Sequence, residues 1–155
     1  MRPRYTIVAD AFALTTTGKT MGMIIPSATI PIAIIEFAVS VDQGTGRCLV
    51  ELVESTQATA GSTTSTGAKQ TGGYTASTDG TPDSTYGREY SAEPTVLVVL
   101  KSWRFPCPGP FVIQFPLGRE PMSLLSGSTN HKGLGVRVSV DSGTPTMDGY
   151  IEWEE

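Results

Sequence analysis

The chain has 155 residues, a formal charge of −4 from 11 Lys and Arg against 15 Asp and Glu, and 39% hydrophobic residues. That length suits one domain, 1–155, able to bury roughly 70% of its unfolded surface without metal or disulfide support. No two Lys or Arg residues adjoin, so the electrostatic footprint of a nucleic-acid binder is missing, and DNA and RNA are set aside as partners.

From the N-terminus, residues 4–14 alternate as a strand does, with Tyr5, Ile7, Ala9, Ala11 and Ala13 on one face and Thr6, Val8, Asp10, Phe12 and Leu14 on the other. The stretch MRPRYTIVADAFAL carries two arginines, but its apolar positions are interrupted and no small-residue cleavage site follows; it does not read as an export signal. TTTGK at 15–19 is a turn, and residues 20–25 form a short strand ended by Pro26. Residues 22–41 are apolar over a length that would span a bilayer, but Pro26, Pro31 and Glu36 interrupt them and β-branched residues dominate, which favours buried strands over a membrane helix.

Residues 31–43 are the strongest strand, with Ala33, Ile35, Phe37, Val39 and Val41 on one face. The glycines of DQGTG at 42–46 suit a hairpin loop, and RCLVELVES at 47–55 returns with Cys48, Val50 and Leu52 opposed to Leu49, Glu51 and Val53. These two strands are expected to pair as an antiparallel hairpin.

Residues 56–87 break the pattern. Twenty of these residues are Thr, Ser or Gly and none is Val, Ile, Leu, Met or Phe, so the stretch cannot bury enough apolar surface to offset its own ordering. It reads as one long polar loop or arm. Beyond it, PTVLVVL at 94–100 is a continuous apolar run that reads as a strand buried on both faces, extended by KSWRF. Prolines 106, 108 and 110 force a bend before a strand at 111–115. Residues 116–131 are irregular, and strands follow at 133–140 and 147–155.

About eight strands and no helix-period segment make an all-β fold, a two-sheet β-sandwich with jelly-roll-like topology. Arg2 and Arg4 at one end of the sequence and Glu152, Glu154 and Glu155 at the other are expected to face each other on neighbouring strands. Cys48 and Cys107, 59 positions apart, form no disulfide framework and read as free, small apolar core residues, with a single bridge between them as the alternative.

Four patterns resemble chemistry. Gly18, Lys19 and Thr20 match the end of a phosphate-binding loop, but the position of its first glycine holds Ala13 and no helix follows. Asp141, Ser142 and Gly143 match an aspartic-protease triplet with too little chain after it to build a cleft. His131, the one histidine, sits in a polar loop with no metal-ligand spacing around it. Glu36, Glu51 and Glu54, on strands expected to pair, are a candidate carboxylate cluster, with an exposed or interfacial face as the plainer reading. None supports a catalytic, metal or cofactor assignment. Tyr74, Tyr86 and Tyr90 punctuate the polar stretch and its exit; they are anchors for a neighbouring subunit or pins holding the loop to its own domain. With Arg2 and Arg4 they are the candidate interface residues.

In this order the chain resembles small virion proteins encoded among the head genes of tailed bacteriophages, of the capsid decoration or cement type. The opening RYTIVADAFALT, the segment IEFAVSVDQGTGRCLVELVES, the Thr/Ser/Gly-rich loop after it, FVIQFPLGREPMSLLSG and the closing GYIEWEE carry the likeness. It implies a non-enzymatic protein, made in the host cytoplasm and placed on the outside of an icosahedral head, where it binds the major capsid protein lattice and itself, as a homotrimer, with no cofactor. The rival expectation is a carbohydrate- or host-binding β-sandwich of a tail or fibre, stacking sugars on Trp103, Trp153 or the loop tyrosines.

Overall fold

The computed structural model describes residues 2–44, 46–56, 69–72, 85–88, 90, 92–123 and 132–155, those at 69–72 and 85 by their backbone. The described chain is strand and connecting loop throughout. The eight expected strands are all present: β1 (Arg4–Ala13), β2 (Lys19–Ile25), β3 (Ile32–Val41), β4 (Arg47–Thr56), β7 (Thr95–Pro106), β8 (Gly109–Gln114), β10 (Lys132–Val140) and β11 (Thr146–Glu154). Three short ones join them: β5 (Lys69–Gly72), β6 (Thr85–Arg88) and β9 (Met122–Ser123).

The strands form two antiparallel sheets packed face to face. One runs β5-β1-β11-β3-β8, with β9 also beside β3; the other runs β6-β2-β10-β4-β7. Pairing is nested: β1 with β11, β2 with β10, β3 with β8 and β4 with β7. This is jelly-roll connectivity, and it explains why the expected hairpin of the third and fourth strands does not exist. β3 and β4 lie in different sheets, so the glycines at 44 and 46, both at positive φ, turn the chain across the sandwich rather than back along one sheet. Neighbours fix that crossing: Cys107 N–H donates to Gly46 O at 3.1 Å and Asp42 N–H to Thr146 O at 3.1 Å.

Bulges decide which residues enter the core. On β3 the pairing with β11 slips between Glu36 and Ile34, leaving Ile35 as the extra residue. Phe37, Val39 and Val41 face inward as the alternation predicts, but beyond the bulge Ile32 and Ile34 join them in the core cluster in place of Ala33 and Ile35. A bulge inserts one residue and reverses the parity of everything past it. β1 does the same between Ala9 and Phe12, where Ala11 sits at φ 51° and donates its N–H to Asp148 Oδ1 at 2.8 Å. Ala13 therefore ends on an exposed face and Leu14 is fully buried.

Tyr5, Ile7, Phe37, Met147, Ile151 and Trp153 from one sheet meet Met21, Ile24, Cys48, Val50, Leu52 and Val136 from the other. Gly22 permits their close approach, since a Cβ there would stand 2.9 Å from Ile7 Cδ1 and 3.0 Å from Ile151 Cδ1. Cys48 and Cys107 are not free. They are bridged, with Cα atoms 5.9 Å apart, well inside disulfide range, so that the start of β4 is tied to the turn between β7 and β8.

Residues 56–87 are not loop throughout. β5 adds to the outer edge of β1 through Arg4, Tyr5 and Thr6, and β6 adds to the outer edge of β2 through residues 22–25. One side of the sandwich is thus closed by polar strands from this stretch, and the other ends in β7, β8 and β9.

Candidate functional site

The apolar run expected to be buried on both faces lies at an edge instead. β7 pairs with β4 from Arg47↔Pro106 to Thr56↔Thr95, and its other side faces no described strand. Along its second half the two sheets are joined by aromatic rings. Phe105 stacks on Phe111 at 5.1 Å, Trp103 lies 6.0 Å from Phe111 and 5.7 Å from Phe37, and Lys101 Nζ sits 5.3 Å over the Phe115 ring. Phe115 then closes the strand it follows, donating its N–H to Ile35 O at 2.9 Å. The chain turns at residues 116–119 and returns to β3 at residues 121–123, where Pro121 O accepts the Ile34 N–H at 3.0 Å. β7 runs on past that point, and Leu97, Val98, Val99 and Leu100 are each between 43% and 48% exposed.

A continuous Val and Leu run indicates burial when a strand sits inside a sheet covered on both faces. On an edge, the same residues form a patch that must be blunted or occupied. β7 carries two bulges, at Leu100 between Leu52↔Lys101 and Val53↔Val99, and at Leu97 between Glu54↔Val98 and Ser55↔Val96. Val112 on β8 and Met122 on β9, both in the other sheet, are exposed as well.

The candidate interface residues do not gather at one surface. Arg4 is half-buried and committed within the chain: its Nε donates to Glu154 Oε1 at 2.8 Å, in the cross-strand position the two charged termini predict. Arg2 is exposed before β1. Tyr86, on β6, is half-buried with its ring 5.9 Å from Trp153, which in turn lies 5.8 Å from Tyr5. Tyr90 is buried, and burial followed by the charge of Glu93 holds its phenol well above the ordinary tyrosine range. Tyr86 and Tyr90 therefore pin the exit of the polar stretch to its own domain. Tyr74 lies outside the described residues, as does His131.

The motif-like patterns resolve into structure. Lys19 Nζ stands 3.5 Å from Glu93, and Thr20 N–H donates to Glu93 Oε2 at 2.8 Å, so a carboxylate occupies the donors a phosphate would use. Glu36 belongs to one sheet and Glu51 and Glu54 to the other, which separates the carboxylate cluster. Glu36 accepts the Tyr150 hydroxyl, Glu51 pairs with Arg137 at 3.6 Å and Glu54 with Lys132 at 3.9 Å. Asp141 accepts Arg47 N–H at 3.3 Å and lies 3.6 Å from Arg104, while Gly143 takes the positive φ of the turn into β11. Among the described residues no group of three or more His, Cys, Asp or Glu is placed to hold a metal ion. Of the two tryptophans, Trp153 is fully buried and offers no face to a sugar; Trp103 is half-buried in the aromatic cluster. An open depression of about 370 Å³ at one end of the sandwich is lined by Gln43, Gly44, Ser142, Gly143, Thr144 and Pro145, none of which ionises.

What residue reasoning missed is the β7 edge. The signal was present as the continuous run VLVVL, and pairing order, which the run does not encode, decides whether it is covered. No protein family, curated protein or solved structure matches the chain.

Proposed function

We propose that the protein is a non-enzymatic structural component that works by surface association, as a decoration protein on the outside of a tailed-phage head. The observation that carries this reading is the exposed apolar edge at residues 97–100. A surface of this kind is what a lattice-binding module offers. Binding only the assembled lattice stabilises that lattice by mass action, and rotational symmetry lets one patch be used many times. The resemblance to capsid decoration proteins names the particle and implies trimers on the major capsid protein lattice. The polar closure of the opposite side by β5 and β6 fits a surface turned to solvent. Quantitative mass spectrometry of purified virions tests the reading. The protein is expected in mature heads at a stoichiometric copy number, and its absence from them would overturn the proposal.

A further inference from the structure

We propose that the hollow between Arg47 and Arg104, on the outer face of the β4–β7 pair, binds a carboxylate, the group that an Asp or Glu side chain of a protein partner would bring. The inference rests on this hollow alone and does not depend on the virion.

Strand pairing brings the two arginines together. Cys48 and Val50 turn into the core, so Arg47 and Leu49 face outward. Arg47 stands opposite Pro106 and Leu49 opposite Arg104, which sets the two arginines diagonally across the pair, within reach of long side chains. With Phe105 and Pro106 they line an open hollow of about 210 Å³. The Cys48–Cys107 bridge joins the residues next to Arg47 and Pro106 and holds the two strands together at this point.

Neither guanidinium is fully paired. Arg4, Lys19, Lys132 and Arg137 each have a carboxylate of their own within 4.0 Å. Arg47 and Arg104 share Asp141. It accepts the Arg47 backbone N–H, and among the described residues the Arg47 guanidinium has neither ion pair nor hydrogen bond. Arg104 Nη1 lies 3.6 Å from Asp141 Oδ1, beyond hydrogen-bond length. Two positive charges thus face one negative charge.

Asp141 also selects the ligand. A dianionic phosphate would meet its repulsion twice over, whereas a carboxylate meets it once and matches the planar guanidinium fork with two parallel N–H···O bonds. A polyanion is opposed further by the chain's charge of −4, while a lone carboxylate, with a Debye length of about 8 Å, feels mainly the nearby arginines. Phe105 and Pro106 give the methylenes of a Glu side chain an apolar wall.

The test is two-dimensional NMR of the arginine Nε–Hε groups in the purified full chain. It is titrated at constant ionic strength with the blocked peptide acetyl-Gly-Glu-Gly-amide, with its Gln counterpart, and with methyl phosphate. The Glu peptide is expected to shift Arg47 and Arg104 saturably, while Arg119, exposed on the turn at 116–119, only drifts linearly. The Gln peptide should bind at least about tenfold more weakly, and methyl phosphate no more tightly than the Glu peptide. Arg47→Gln and Arg104→Gln, both at exposed positions, should each abolish saturation at the remaining arginine and leave the unfolding midpoint unchanged. Asp141→Asn keeps an acceptor for the Arg47 N–H and should tighten binding about fivefold, the gain from removing a unit charge about 4 Å away in water.

Linear drift at Arg47 and Arg104, equal binding of the Gln peptide, or tighter binding of methyl phosphate would each overturn the carboxylate site. So would saturation that survives in Arg47→Gln, or an affinity unchanged by Asp141→Asn.

Discussion

The two open sides of the sandwich solve the problem of sheet edges in opposite ways. On one side β5 and β6, both drawn from the stretch at 56–87, cap β1 and β2 with short polar strands. On the other, β7 presents Leu97 to Leu100 to solvent and relies on two bulges. The more conspicuous sequence feature, the long Thr/Ser/Gly stretch, thus closes an edge, and the apparently ordinary core strand opens one. Low complexity marks where a chain cannot make a core, while an interaction surface is marked by apolar residues left without cover.

The largest effect expected from perturbing this contrast is on stability at the apolar side. Cys48→Ala combined with Cys107→Ala releases a closure spanning 59 residues, which chain entropy values at about 4 kcal/mol. Urea unfolding is expected to show a loss of that order, and an unchanged midpoint would mean the bridge adds nothing to the β7–β8 turn. On the polar side, deleting 61–80 removes β5 and its pairing with Arg4, Tyr5 and Thr6. The domain should stay folded at a cost of about 1 kcal/mol, the net worth of an exposed backbone bond or two. Loss of cooperative unfolding would show that this stretch belongs to the core.

Much of this fold was legible in the residues. All eight main strands, the two-sheet jelly roll and the Arg4–Glu154 pairing follow from alternation, breaker residues and charge at the two ends of the sequence. What was not legible depends on long-range pairing. DQGTG reads as a hairpin loop because glycine signals a turn and not its destination. Ile34 and Ile35 exchange places because a bulge in β3 answers to β11, more than a hundred residues away. The Cys48–Cys107 bridge needs β4 and the β7–β8 turn to be neighbours, and two cysteines 59 apart carry no spacing signal for that. Arg2, Arg4 and the tyrosines were singled out by type. The structure spends Arg4, Tyr86 and Tyr90 on the domain's own closure.

Smaller effects sharpen the contrast further. Arg4→Ala removes an ion pair whose arginine side chain is 37% exposed, so it should cost at most about 1 kcal/mol, and less in high salt. Thermal melts at low and high ionic strength would measure this, and a salt-independent loss would assign the effect to packing instead. The smallest effect concerns Tyr150, midway between the two sides in the row Val8, Tyr150, Ala38, Val112 on the outer face of one sheet. The hydrogen bond it donates to Glu36, then burial and the charges of Glu36 and Glu152, push its phenol up to about 12. A phenol raised above its unfolded value of about 10 stabilises the fold below that pH, and the contribution is lost as pH rises towards 12. Tyr150→Phe should flatten the stability profile in that window, with its small loss of stability falling at neutral pH and vanishing towards pH 12. A Phe variant that keeps the full wild-type slope would assign the slope to other groups.

Amide hydrogen exchange of the purified protein, compared between dilute and concentrated solution, most directly asks which side makes contacts. Association at the apolar edge predicts that amides at 96–101 gain protection with concentration while those at 69–72 and 85–88 do not change. Protection gained at 69–72 or 85–88, or no change at 96–101, would contradict it.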